Sequence, residues 1–211
     1  MDHLAGILSQ YRIVPVVTLD SPDIAVPVAT LLVENGLPLI EITFRTHAAE
    51  ESIRMIRKSH PHMHIGAGTV LFPDQALAAK KAGADFVVAP GFNPKMVDFC
   101  LQNQIPMIPG VDSPSLIEAA LDKGVTLVKF YPAEASGGIG YIKAVAAPYR
   151  DICLMPTGGI TPDNLKSYLA NEKVIACGAS WMTPSSAVSS GSLSLISQRI
   201  QTIKTLIGLQ A

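Results

Sequence analysis

The sequence predicts an α/β fold, a single (β/α)8 TIM barrel with an extra N-terminal helix, and three observations support it. Eight apolar, β-branched runs recur along the 211 residues, each short enough to be a buried strand. Segments with helical periodicity lie between them, and continuous apolar strands covered by helices are the pattern of a parallel sheet. No proline-, serine- or charge-rich linker divides the chain, so residues 1–211 read as one domain. The barrel would be compact, since ~250 residues is more usual for this fold.

In chain order the predicted strands are Ile13–Thr18, Pro38–Thr43, Met63–Gly68, Phe86–Ala89, Pro106–Pro109, Val125–Phe130, Ile152–Met155 and Val174–Gly178. Helical periodicity is clearest over Ile24–Asn35, Ala48–Lys58, Gln75–Ala82 and Leu116–Lys123. Ser21-Pro22-Asp23, Ser113-Pro114 and Thr161-Pro162-Asp163 each place a cap residue before a proline at the first helical position,. Asn35-Gly36, Ala82-Gly83 and Lys123-Gly124 mark helix ends,. Val87-Val-Ala-Pro-Gly91 and Pro106-Met-Ile-Pro-Gly110 resemble each other, as units sharing one turn type would. Residues 1–12 read as a helix plugging the bottom of the barrel. Residues 184–211 read as closing helices, with Ser185–Ser194 a mobile connection between them.

Composition narrows the function. With 48% hydrophobic and 16% charged residues the chain fills a core,. A net charge of −1 leaves no electrostatic footprint for nucleic acid or an anionic membrane,. Small molecules or further copies of the chain are the expected partners. The three cysteines (Cys100, Cys153 and Cys177) have no C-x-x-C or zinc spacing,. Together with the lack of a signal peptide pattern or an apolar span, they point to a cytoplasmic protein with reduced thiols.

In this fold the chemistry sits at the carboxyl ends of the strands. Lys129 is the odd residue there. It lies among Leu127, Val128, Phe130 and Tyr131, where an ammonium loses hydration,. Such an amine is either a nucleophile or a strand-end lysine whose head snorkels to solvent. Glu41 shares a strand face with Thr43 and is a candidate proton shuttle, or else a structural partner for Arg45. Arg45, past the strand end, can instead meet a substrate carboxylate bidentately. Thr157-Gly158-Gly159 and Gly178-Ala179-Ser180 follow the last two strands, where such barrels bind phosphate on loop amides,. The strand ends hold no plausible metal cluster and imply no cofactor. His60, His62 and His64 alternate, but they precede or open the third strand, at the wrong end for chemistry. Asp85 and Asp112 read as caps or turns, and Trp181 as packing beside the last strand.

Leu39-Ile-Glu-Ile-Thr-Phe-Arg-Thr46, Gly66-Ala-Gly-Thr-Val-Leu71, Val128-Lys-Phe-Tyr-Pro-Ala-Glu134 and Met155-Pro-Thr-Gly-Gly-Ile160 resemble the signature stretches of the 2-keto-3-deoxy-6-phosphogluconate (KDPG) and 4-hydroxy-2-oxoglutarate (KHG) aldolases. The likeness runs from about Val14 to Trp181 in matching order. It implies a metal-free class I aldolase on a barrel, usually a homotrimer. Lys129 would form the Schiff base and Glu41 would act as general acid and base. Arg45 and Thr69 would hold the pyruvate end, with Pro90 lining the cavity. Thr157, Gly158, Gly159, Gly178 and Ser180 would form the phosphate end. Tyr131 stands where relatives carry Phe and would still wall the Schiff base. Ala179 stands where Gly is frequent. The Leu19–Pro22 loop lacks an arginine typical of galactonate-type relatives, which favours the gluconate-type substrate.

Two other classes remain to be weighed. A metal-dependent sugar-phosphate isomerase or epimerase would share the phosphate loops but need inward histidines at the strand ends. A non-catalytic barrel binding a phosphorylated ligand would have no use for an inward lysine.

Overall fold

The structure, a computed structural model, describes residues 2–208. Nine short strands alternate with helices: β1 Ile13–Val17, β2 Leu39–Thr43, β3 His64–Gly68, β4 Phe86–Val88, β5 Met107–Ile108, β6 Gly110–Val111, β7 Leu127–Phe130, β8 Cys153–Pro156 and β9 Cys177–Ala179. The helices are α1 Asp2–Tyr11, α2 Ala25–Glu34, α3 Ala49–Ser59, α4 Pro73–Ala82, α5 Pro94–Gln102, α6 Pro114–Asp122, α7 Gly138–Ala146, α8 Pro162–Leu169, α9 Ser185–Ser189 and α10 Leu193–Ile207. Every strand pairing is parallel. The architecture is therefore α/β with a curled parallel sheet. It has two hydrogen-bonded parts: six strands in the order β5-β4-β3-β2-β1-β9, and three in the order β6-β7-β8. Single bridges, Leu154 to Val174 and Thr157 to Gly178, connect the stretch around β8 to that around β9.

Three expectations need correcting. Of the predicted fifth strand, Pro106–Pro109, only Met107–Ile108 is strand, and a second piece, β6, follows at Gly110–Val111; the break falls at Pro109, which has no amide hydrogen to give a ladder,. The last strand begins at Cys177 and not at Val174, because pairing with β1 starts at Ile13 opposite Cys177. Ser185–Ser194 is not an irregular connection, since Ser185–Ser189 form α9 with Ala187 and Val188 buried. The anticipated helix starts are present. Ser21 caps a 3-10 turn, Pro22–Ile24, that leads into α2, its Oγ accepting from Asp23 N, and at α8 Asn164 Oδ1 accepts from Thr161 N at 2.8 Å,. Gly36, Gly83 and Gly124 take positive φ of 72°, 104° and 72° where their helices end,.

The core follows from the strands. All five residues of β2 and all four of β7 are buried, the charged Glu41 and Lys129 included. Helix α1 packs at the amino ends, with Leu8 fully buried and Tyr11 facing His64 at 6.3 Å between ring centroids. There a cavity of about 510 Å3 is lined by His3, Arg57, His62, His64 and Asp85 among others. It is larger than the cavity at the other end, but its polar groups serve the fold. Asp85 Oδ2 accepts from Ile65 N at 2.8 Å and from Arg57 Nη2 at 2.7 Å, fixing the start of β3. His60 Nε2 lies 2.9 Å from Thr30 Oγ1, and burial pushes the His64 imidazole down from its usual value,. At the far edge the Arg199 guanidinium stacks on Trp181, 4.8 Å from its ring centroid,.

Candidate active site

Glycines at three strand positions leave space for the polar groups. Inward-facing residues alternate along a strand, so Gly66 and Gly68 of β3 share a face. A Cβ on Gly66 would lie 2.5 Å from the Phe86 ring, and one on Gly68 would lie 2.1 Å from Glu41 Oε1. The Glu41 side chain from β2 occupies the space that Gly68 vacates. Gly110, paired with Lys129, does the same for the next loop, since a Cβ there would lie 2.2 Å from the Pro90 carbonyl oxygen.

Lys129 Nζ lies 3.5 Å from Glu41 Oε1, with side-chain exposures of 6% and 0%. Glu41 Oε2 has no hydrogen bond among the described residues and is free to accept from a reacting group. The Tyr131 ring faces the amine, 5.4 Å from Nζ to its centroid. Glu41 pairs with Lys129 and not with Arg45.

These groups form the floor of a cavity of about 260 Å3. All the site residues anticipated from the sequence line it: Glu41, Arg45, Thr69, Pro90, Lys129, Tyr131, Thr157, Gly158, Gly159, Gly178 and Ser180. Arg45 is exposed and also borders an adjoining cavity of about 350 Å3 beside Glu50, Asp74 and Gln75. Thr69 holds φ of 57°, an uncommon conformation for a β-branched residue. Its neighbours pin it, through Phe44 N to Gly68 O at 2.7 Å and Val70 N to Val88 O at 3.1 Å,.

The loop after β8 presents two free backbone amides to the cavity. Thr157 O accepts from Ala133 N at 2.8 Å and Gly158 O accepts from Glu134 N at 3.1 Å. A trans peptide points its N–H opposite to its C=O. The Gly158 and Gly159 amides are thereby turned away from the 133–134 segment, and neither has an acceptor among the described residues. Both glycines have positive φ, 99° and 80°, and successive free amides in such a turn make an anion nest. Gly178 is required alongside, because a Cβ there would lie 2.4 Å from Thr157 Oγ1.

Val16, Thr18, Thr43, Thr183 and Ser185 also line the cavity. Thr18 and Thr43 share a hydrogen bond of 2.8 Å between hydroxyls, and Thr183 Oγ1 donates to Val16 O at 3.2 Å. Only Thr43 was signalled beforehand, through its shared face with Glu41. The three thiols are free; burial raises Cys100 to about 11 and pushes Cys177, next to Gly178, up as well. Among the described residues no three His, Cys, Asp or Glu side chains gather as metal ligands. No helix among them is long and apolar enough to cross a membrane.

Comparison with known proteins gives the family. The family model described as KDPG and KHG aldolase matches residues 4–199. The chain is 45% identical over 200 residues to the 2-dehydro-3-deoxy-phosphogluconate aldolase of Haemophilus influenzae, covering 95% of this chain and 94% of that one. It is 39% identical over 186 residues to the KHG/KDPG aldolase of Escherichia coli, covering 88% and 87%. The KDPG aldolase of Legionella pneumophila, solved with pyruvate captured as a covalent carbinolamine, superposes with a TM-score of 0.89 at 33% identity, covering 93% and 95%. The enzyme of Zymomonas mobilis, solved with 3-phosphoglycerate, superposes with a TM-score of 0.88 at 32% identity, covering 96% and 95%. The chain belongs to the KDPG and KHG aldolase family, and it is an enzyme of the aldehyde-lyase kind.

Proposed function

We propose that this chain is a class I aldolase cleaving 2-keto-3-deoxy-6-phosphogluconate to pyruvate and D-glyceraldehyde 3-phosphate. It would also cleave 4-hydroxy-2-oxoglutarate to pyruvate and glyoxylate on the same pyruvate half-site. The observation that carries the reading is the buried Lys129–Glu41 pair, 3.5 Å apart, on the floor of a cavity whose rim is an anion nest.

The Lys129 amine adds to the C2 ketone of the substrate, and the carbinolamine loses water to give an iminium. That cation accepts the electron pair of the C3–C4 bond as the C4 hydroxyl loses its proton, which releases the aldehyde and leaves an enamine. Glu41 moves protons in carbinolamine dehydration and then protonates the enamine at C3. Water hydrolyses the resulting iminium, freeing pyruvate and the amine. Arg45 and the Thr69 hydroxyl hold the substrate carboxylate, with Pro90 and Tyr131 as the walls. Thr157, Ser180 and the amides of Gly158 and Gly159 hold the phosphate, with Gly178 leaving the room they need.

The same reading takes the chain as one domain in which the two parts of the sheet close into a (β/α)8 barrel with α1 at its base. The bridges from β8 to the β9 stretch and the continuity of β5 with β6 support closure. It places the enzyme in the cytoplasm as a homotrimer. Exposed Phe72 (59%) and Leu101 (52%) are apolar surface of the kind an interface covers,. Sedimentation equilibrium is expected to give three chains of 22.3 kDa per particle, and a monomer would rule the trimer out.

Borohydride reduction in the presence of pyruvate tests the chemistry. A pyruvyl adduct is expected on the peptide containing Lys129, and its appearance on another residue, or on none, would overturn the mechanism.

A further inference from the structure

We infer that Glu134 and Tyr168 form a strut that sets the shape of the Gly158–Gly159 loop and so governs how tightly the phosphoryl end of the substrate is held. The inference rests on the proposed reading of that loop as the phosphate site. Neither residue lines the cavity, so both are positioning residues.

Glu134 lies on the segment that follows β7 and touches the loop in two ways. Its amide donates to the Gly158 carbonyl at 3.1 Å, which turns the Gly159 amide the other way,. Its carbon stem lies against Gly159, where a Cβ would be 2.6 Å from Glu134 Cγ and 2.7 Å from Cβ. Tyr168, fully buried in α8, donates its hydroxyl to Glu134 Oε1. Asn164 of the same helix braces the opposite side, donating from Nδ2 to Gly159 O at 2.9 Å. The loop carbonyls are thus held from both sides, which leaves the Gly158 and Gly159 amides for the anion.

The strut also manages a charge. The Glu134 carboxylate stands next to a loop meant for a phosphate dianion, and like charges at this range oppose binding. The Tyr168 hydroxyl holds that carboxylate on the α8 side of Gly159. Without the hydroxyl the exposed carboxylate is free to swing, and Gly159 loses its backing.

Tyr168→Phe keeps the ring in the core and deletes only the hydroxyl. The KM for the phosphorylated substrate is expected to rise by roughly threefold to tenfold, the worth of one hydrogen bond. The KM for 4-hydroxy-2-oxoglutarate, which has no phosphate, and both kcat values are expected to stay within about twofold. Inorganic phosphate, used as an inhibitor of 4-hydroxy-2-oxoglutarate cleavage, should weaken by the same factor as the phosphorylated substrate. Glu134→Gln retains the acceptor and the stem without the charge, and phosphate should inhibit it as it does the wild type or more tightly. Equal KM changes for both substrates, or none for either, overturn the strut. If Tyr168→Phe does not fold, Glu134→Ala is compared with Glu134→Gln, which lacks the same charge but keeps the stem and acceptor: the KM for the phosphorylated substrate is expected to be higher in Glu134→Ala, with that for 4-hydroxy-2-oxoglutarate unchanged between the two. If phosphate fails to inhibit the wild-type enzyme at all, the phosphate reading of the loop has failed, a result distinct from failure of the strut.

Discussion

Lys129→Arg is expected to lower kcat by at least about 10⁴-fold while the chain stays folded, as for loss of a covalent nucleophile elsewhere. The choice of arginine follows from the burial of the pair. Glu41 is fully buried and Lys129 nearly so. Deleting the lysine outright strands a carboxylate in the core, which costs about 3–5 kcal/mol and confuses lost chemistry with lost structure. A guanidinium keeps a cation near Glu41 but has no lone pair to offer and is not deprotonated. The cavity above the pair gives the longer side chain room to settle. The measurements are steady-state cleavage, pyruvate trapping with borohydride, and a thermal melt. Turnover above about one hundredth of the wild type in Lys129→Arg would refute the assignment of Lys129 as nucleophile. Lys129→Ala should be equally inactive but should melt lower, and the gap between the two melting points reports the cost of the stranded carboxylate.

That pair was half legible in the sequence. Lys129 declares itself because β7 is otherwise continuous apolar chain, and a charge in such a run needs a reason. Glu41 declares itself by alternation in β2. Their meeting does not, since they are 88 residues apart and come together only when strands β2 and β7 face one another. The Gly158–Gly159 turn is legible because glycines at a strand end allow a close backbone approach, and its use for phosphate is the proposed reading,. The elements that supply its rigidity are not legible. Glu134 and Tyr168 are 34 residues apart, and neither carries a local signal beyond its own helix or turn. Thr18, Thr183 and Ser185 were passed over for a simpler reason, because hydroxyls at loop ends are common and satisfy their own backbone in most cases. The misplaced last strand and the split fifth strand have one cause. Apolar β-branched residues mark where a strand is permitted, whereas its ends are set by the partner strand and by Pro109, which gives no ladder bond.

Gly68→Ala is expected to cost about 10²-fold in kcat, and some stability as the buried pair is parted, because one methyl displaces the proposed acid–base group without touching it chemically. The added Cβ would lie 2.1 Å from Glu41 Oε1 and 2.8 Å from Cδ and Cγ, so the carboxylate must move and its 3.5 Å approach to Lys129 must lengthen. The end of a side chain gives way before a strand that is paired along its whole length with β2 does. Glu41→Gln, which removes the proton-transfer group itself, is expected to cost between about 10²- and 10⁴-fold. The two should not multiply. If Gly68→Ala acts only by misplacing the carboxylate, adding it to Glu41→Gln changes kcat little, whereas independent sites would add their effects in free energy. A multiplicative double variant would sink the proposed route through Glu41. Gly66→Ala is the control two residues away on the same strand face. Its Cβ meets the buried Phe86 ring at 2.5 Å rather than a carboxylate, so overpacking should cost about 1–3 kcal/mol of stability and lower the melting temperature, leaving the acid–base step in the surviving enzyme intact,. One strand face thus holds two glycines with different tasks: Gly66 admits the ring that fills the core, and Gly68 admits the carboxylate that lies beside Lys129.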